Sequence, residues 1–312
     1  MKRIILLFAI IMVTLGSANA QFSAKKYNVS GVHGIRAGWS FQIELESGES
    51  NEITIIAPSQ TIECVVVKKE NGILTFDLDF SKVTTKSTLP NGIKVTNEEI
   101  LMTKGRKTLK GPIKVKMQLS QLDAIMLSGS AQLLTKGAFK GGKLTCLLSG
   151  NSSVAETKVA VETLSANISG NSKVSFSGSY KDINIELNGA SSLEISGDFY
   201  KGDISASGNS LLSLNGRSNS LSLSLNGNSK AVLEGSTQNL SIKNGGASQI
   251  ESKKFNTRTA NLTLSGASTA DINALGSLKA KVSGSSKLTY EFKGDTSKLK
   301  IQKYDAAYVK AK

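Results

Sequence analysis

The chain has 312 residues, with 38 Lys+Arg against 24 Asp+Glu and a formal net charge of +14. Two Cys and one His exclude disulfide-stapled scaffolds, Cys-based zinc domains and His-cluster metal sites. Hydrophobic content of 39% with 20% charged residues excludes wholesale disorder and points to no particular activity.

Lys2 and Arg3 precede a short apolar run from Ile4 to Val13, and Ala18-Asn19-Ala20 is the small-x-small pattern that signal peptidase reads. An export signal over residues 1–20 is therefore expected, with cleavage before Gln21. The run is too short to cross a bilayer. Without it the chain keeps 292 residues, a charge of +12 and no transmembrane segment, in a compartment where thiols can oxidise.

Residues 21–119 read as N-terminal β strands that cap one end of the molecule. Alternating apolar and polar residues predict strands at Phe41–Leu45, Ile53–Ile56, Ile62–Val67, Leu74–Phe80 and Ile113–Leu119. Asn71-Gly72 and Pro90-Asn91-Gly92 are turn signals between them. Residues 81–116 form a basic hairpin in this reading. Lys82, Lys86, Lys94, Lys104, Arg106, Lys107, Lys110, Lys114 and Lys116 meet only Glu98 and Glu99, for a net +7. Lys104, Arg106, Lys107, Lys110, Lys114 and Lys116 are the candidate anion-binding residues, facing acidic polysaccharide or lipid phosphates. A solvated, aggregation-resistant hairpin is the other reading. Interleaved aromatics are lacking, so nucleic acid is not an expected partner.

From residue 120 to 290 one phrase recurs: an apolar residue, Ser or Asn, Gly, a small residue, Ser. Its glycines are Gly129, Gly150, Gly170, Gly189, Gly208, Gly227, Gly246, Gly266 and Gly284, spaced by 21, 20, 19, 19, 19, 19, 20 and 18 residues. Two, four and six residues before each Gly, and four after it, the chain is mostly aliphatic; Ile185, Ile204 and Leu223 form one such column. The residues between are Ser, Asn, Thr, Lys and Glu. This is the period of a half-buried strand. The Gly phrase is a tight corner, since Gly accepts positive φ and the following Asn (Asn151, Asn171, Asn209, Asn228) tolerates it. A looser corner is expected about eight residues later, at Gly137, Gly178, Gly197, Gly216 and Gly235. One such unit cannot stand alone. Fixing each backbone residue costs about 1–2 kcal/mol, and about five inward aliphatics return about 1.5–3 kcal/mol each. Stacking the units pairs their backbones and aligns their aliphatics. The expected fold is all-β, a right-handed parallel β-helix of about nine coils and roughly 43 Å. Residues 291–312 complete it as a C-terminal cap and basic tail.

The repeated LSGSA, ISGNS and LNGAS corners, the strand Phe41–Leu45 and the run Pro112-Ile113-Lys114-Val115-Lys116 resemble the head GIN domain family of auto-transporter adhesins of Gram-negative bacteria. The likeness covers Tyr27 to Lys303. It implies a β-helix without a recognised catalytic set and a role in adhesion or at the cell surface. No β-barrel translocator follows Lys303, so self-export is not expected, and periplasm and cell surface both stay open.

Candidate chemistry is sparse. His33 is a lone imidazole whose partners the sequence does not reveal. Cys64 and Cys146 both fall on expected strands, as buried thiols or as a bridge. The Ser two residues after every corner Gly but the first, which has Ala131, runs from Ser152 to Ser286 and reads as a corner tie or as a sugar-binding ladder. Asp182, Glu186, Glu194, Asp198 and Asp203 are the acidic concentration of the repeat, a solvated surface or a pair for glycoside hydrolysis. Asn244 interrupts an inward column and is expected to be hydrogen-bonded inside. No catalytic residue, metal or cofactor is assigned. The leading expectation is a non-enzymatic cell-envelope protein with a glycan or envelope component as partner. A polysaccharide lyase or hydrolase and a periplasmic polyanion binder are the alternatives.

Overall fold

A computed structural model describes residues 22–82, 100–103, 106–109 and 111–312. These residues fall into two compact units, one ending at Gly137 and one running from Ala138 to Lys312. The export signal and the Pro90-Asn91-Gly92 turn lie outside the described residues.

The second unit is the repeat made physical. Strands β12 (Ala138–Leu148), β13 (Ser153–Ile168), β14 (Lys173–Leu187), β15 (Ser192–Ala206), β16 (Leu211–Leu225), β17 (Lys230–Asn244), β18 (Gln249–Leu264) and β19 (Thr269–Val282) each pair in parallel with the next. This is the expected β-solenoid. Ile185, Ile204 and Leu223 are direct partners in successive coils and are buried. Period-two alternation puts them inside, and stacking removes each one's flanks from water.

Each corner is closed the same way. The residue after one corner Gly donates its backbone N–H to the carbonyl of the Gly one coil earlier, as Asn171 does to Gly150 and Asn209 to Gly189, both at 2.7 Å. The corner glycines have φ near +70°, Gly189 for example +74°. A Cβ at Gly189 would stand 2.7 Å from the Gly170 carbonyl oxygen, so both conformation and stacking demand Gly there. The following Asn residues do not share the left-handed region. They stack outside, where Asn171 Nδ2 donates to Asn151 Oδ1 at 3.1 Å.

The second break differs from expectation. The strand does break at Gly137, between Lys136 and Ala138, but at Gly178, Gly197, Gly216 and Gly235 it runs on without interruption, so each of those four coils is one strand of about fifteen residues bent at a Gly. Those bend glycines also stack. A Cβ at Gly197 would overlap the Gly178 carbonyl oxygen.

Beyond β19 the pattern continues through β20 (Lys287–Phe292), β21 (Leu299–Lys303) and β22 (Tyr308–Ala311). β21 pairs in parallel with β19, and β22 with β20. Asp305, with φ +56°, takes the corner position, and its Oδ2 accepts from the Gly284 N–H at 3.0 Å. Residues 299–311 therefore form a further coil, whose corner lacks Gly.

The first unit uses the same coil in another chain order. It contains β1 (Phe22–Asn28), β2 (Gly34–Ala37), β3 (Phe41–Ser47), β4 (Glu52–Pro58), helix α1 (Ser59–Cys64), β5 (Val65–Glu70), β6 (Ile73–Leu78), β7 (Ile100–Thr103), β8 (Arg106–Leu109), β9 (Ile113–Leu119), β10 (Ala124–Leu127) and β11 (Gln132–Lys136). β2 is flanked by β6 and β10, and β3 by β9 and β11, all in parallel. The coil of β2 and β3 turns at Trp39, a non-Gly residue with φ +50°. The Trp39 carbonyl accepts from the Ser130 N–H at the Gly129 corner. Antiparallel strands finish the edges: β4 on β9, β1 on β4, and β5 on β6 through the expected Asn71-Gly72 turn. The predicted strand Ile62–Val67 is half helix. Thr61, Ile62 and Cys64 of α1 are buried as the chain passes from β4 to β5.

Candidate functional site

Lys86, Lys94, Lys104 and Lys110 of the basic segment lie outside the described residues. Arg106 and Lys107 sit on β8, which pairs antiparallel with β7. Lys114 and Lys116 alternate with buried Ile113, Val115 and Met117 on β9 and face solvent. Lys116 Nζ lies 3.5 Å from Glu44 Oε2. Both line a shallow groove of about 640 Å³ together with Glu46, Glu52, Gln118 and Lys136. Three carboxylates meet two ammonium groups there, so the field around Lys116 is not that of an anion site.

Three of the five acidic residues singled out in the repeat, Glu186, Asp198 and Asp203, are tied individually. Asp198 accepts from Arg217 Nη2 at 2.8 Å, Nε at 3.1 Å and the backbone N–H at 2.9 Å. The Arg217 hydrogen bonds hold the Asp198 carboxyl below the usual carboxylate range. Asp203 pairs with Lys201 at 2.8 Å. Glu186 accepts from Asn167 and Asn188, each at 3.0 Å. Glu186 and Asp203 line one shallow groove of about 320 Å³, but each is already engaged, Glu186 by two Asn amides and Asp203 by Lys201.

His33 has a partner that the sequence hid. Its Nδ1 stands 3.2 Å from Asp123 Oδ2, and the Asp123 N–H donates to the His33 carbonyl at 2.7 Å. Gln121 Nε2 occupies the same carboxylate, at 2.7 and 2.9 Å. The ring's Nε2 packs over Gly72, where a nucleophile would have to stand. The pair ties strand ends together.

The Ser ladder points inward. Ser152, Ser172, Ser191, Ser210, Ser229, Ser248, Ser268 and Ser286 are all buried. Ser152, Ser210 and Ser229 donate to the carbonyl three residues earlier at 2.6–2.8 Å. They tie the corners and cannot reach a sugar. Asn244 is buried as expected: its Nδ2 donates to the Thr269 carbonyl at 2.9 Å and its Oδ1 accepts from the Ser248 hydroxyl. Cys146 is a buried thiol in the inward column, its ionisation pushed up by burial, and Cys64 ends α1 rather than lying on a strand. Among the described residues no group of three His, Cys, Asp or Glu could hold a metal ion, and no helix is long and apolar enough to cross a membrane.

A second basic cluster escaped the sequence reading. Lys243, Lys279, Lys281 and Lys300 project from β17, β19 and β21 on one sheet face of the second unit. They line a groove of about 460 Å³ with Ser241, Asn261, Thr263 and Gln302. Counting outward positions three and five before each corner would have revealed them.

A family model described as "Putative auto-transporter adhesin, head GIN domain" matches residues 32–199 and 185–294. No curated protein matches the chain. Among solved structures, a putative adhesin from Parabacteroides merdae is 17% identical, covering 94% of this chain and 97% of its own, with a TM-score of 0.54. A putative adhesin from Parabacteroides distasonis is 14% identical, covering 94% and 98%, with a TM-score of 0.48.

Proposed function

This chain belongs to the head GIN domain family, and from that premise we propose that it is an exported, non-enzymatic module of a Gram-negative cell envelope that holds a ligand or a neighbouring cell on its sheet faces. The observation that carries this reading is the surface of the repeat. Its outward positions are mostly short polar side chains and lysines on continuous strands, and Glu186, Asp198 and Asp203 are each engaged in hydrogen bonds or an ion pair. Such a face suits extended, multi-point contact more than bond cleavage, which needs a base, an acid and a bound geometry in one cleft. The leader read at residues 1–20 supports export. Cell surface is the side proposed, because adhesion requires it.

The test follows the chain in cells of its own source. Protease added to intact cells is expected to remove it, and deletion of its gene is expected to reduce attachment to glycan-coated surfaces. Protection in intact cells with digestion only after permeabilisation, together with unchanged attachment, would overturn the reading. For the polysaccharide lyase or hydrolase alternative the candidate pair is Glu186 and Asp203, which share a groove but are held by Asn167, Asn188 and Lys201. New reducing ends or unsaturated product from a glycan panel would revive it.

A further inference from the structure

We propose that the sheet face carrying Lys243, Lys279, Lys281 and Lys300 binds a linear acidic glycan, one bearing carboxylates at regular intervals. The proposal rests on the adhesive reading above and adds to it a face and a ligand chemistry.

Strand register builds the face. Lys243, Thr263, Lys281 and Gln302 are successive partners across β17, β18, β19 and β21, and Ser241, Asn261, Lys279 and Lys300 form the parallel row two residues back. All eight side chains are exposed. No carboxylate lines the groove. Several other lysines of this unit are paired with an acid: Lys201 with Asp203, Lys230 with Glu251 and Lys254 with Glu234. Here Lys279 and Lys300 are direct strand neighbours of like charge, an arrangement that destabilises a sheet. Four ammonium groups without local compensation concentrate anions.

The intervening residues decide which anion fits. Ser241, Asn261, Thr263 and Gln302 place hydroxyls and amides between the charges, the groups that pair with sugar hydroxyls. Tyr304 stands at the rim, half exposed, with its hydroxyl donating to Gln302 Oε1 at 3.4 Å. One ring beside a polar groove offers a face for a pyranose. A single-stranded nucleic acid would need several interleaved rings. Lys243 and Lys281 are two strands apart, roughly 9.5 Å, about the length of a disaccharide. A chain of alternating charge laid across the strands would meet an ammonium at each repeat.

The experiment uses the chain from Gln21 to Lys312 and a fluorescent hexamer of galacturonic acid, with neutral cellohexaose as control. Two variants lose equal charge: Lys243, Lys279, Lys281 and Lys300 changed to Gln, and Lys140, Lys158, Lys173 and Lys181, exposed on earlier strands of the same unit, changed to Gln. Binding of the acidic hexamer, weakening as salt rises, is expected, with none of cellohexaose. The first variant should weaken it by at least about tenfold, and the second should leave it within about twofold. Tyr304→Ala, which removes no charge, should cost about threefold. Equal losses in both four-lysine variants would overturn the site in favour of bulk charge. Equal competition by inorganic phosphate would overturn the glycan chemistry, and so would binding of phosphatidylglycerol vesicles, lost in the first variant, with no binding of the acidic hexamer. Unchanged melting of the variants guards against misfolding. The two readings fail separately. If gene deletion abolishes attachment but the first variant restores it fully, the face is wrong. If deletion changes nothing while the hexamer still binds at these lysines, the adhesive reading is wrong.

Discussion

Residues 22–137 and residues 138–312 are made of the same two-sided coil, visited in different orders. In the second unit each strand pairs with the one that follows it, and partners stand about 20 residues apart in the chain. In the first, β2 pairs with β6 and with β10, so Ile35 has Leu74 on one side and Ile125 on the other. Local stacking pays back each coil's ordering entropy as it forms, whereas the first unit must close long loops before its pairs exist. The repeat can therefore be nearly uniform up to its last corner at Asp305, while the first unit needs antiparallel edges, a short helix and a corner at Trp39.

The sharpest way to break that comparison is at a stacked glycine. Gly197→Val puts a side chain into the Gly178 carbonyl, and the backbone there has φ +129°. Loss of at least about 3 kcal/mol is expected, read as a collapse of the urea midpoint. Trp39→Gly in the first unit should change stability by less than about 1 kcal/mol. It relieves a positive φ but gives up the edge contact with Phe80 and the Nε1 bond to Asp77 at 2.9 Å. Similar losses at both positions would show that the Gly197 bend and the Trp39 corner are not distinguished by stacking.

Next in size is the polar interruption of the column. Asn244→Ala removes the bond to the Thr269 carbonyl and one acceptor of the Ser248 hydroxyl, which keeps the Gly245 carbonyl, and is expected to cost about 1–2 kcal/mol. Asn244→Leu restores the column between Leu225 and Leu264 and should cost less. An Asn244→Ala protein as stable as the parent would mean that water already serves those groups. In the opposite direction, the Tyr180 hydroxyl is buried with no hydrogen-bond partner among the described residues. Its ionisation is pushed up by burial. Tyr180→Phe is expected to raise stability by about 1 kcal/mol, measured by the shift in melting temperature.

What the sequence disclosed follows the same division. Nine glycines at nearly constant spacing define the coil, and the aliphatic columns define its inside. Asn244 could be assigned to the interior because its neighbours at plus and minus one coil are aliphatic. The two corners without Gly, at Trp39 and Asp305, were illegible, since both carry the left-handed conformation on residues that rarely adopt it. The helix Ser59–Cys64 was read partly as strand because Ile62 and the following valines suit either element over so short a run. The His33–Asp123 pair was hidden by a separation of ninety residues. The lysine face was missed for a different reason. Its residues repeat at outward positions, where no aliphatic periodicity draws attention, and they become neighbours only once the register is known.

The smallest effect lies on the outside of the repeat. Asp198 is held below its usual range by hydrogen bonds from Arg217, and both side chains are largely exposed. A carboxylate whose folded pKa is depressed contributes stability that is complete above its unfolded pKa near 4 and is lost as pH falls through the folded value. Solvent screening limits that contribution to less than about 1 kcal/mol. Asp198→Asn should therefore lower stability slightly at pH 7 and leave it unchanged near pH 2, and added salt should shrink the difference. An Asp198→Asn effect as large at pH 2 as at pH 7 would mean that the contact works through packing between neighbouring coils, and that charge on this surface has no part in holding them together.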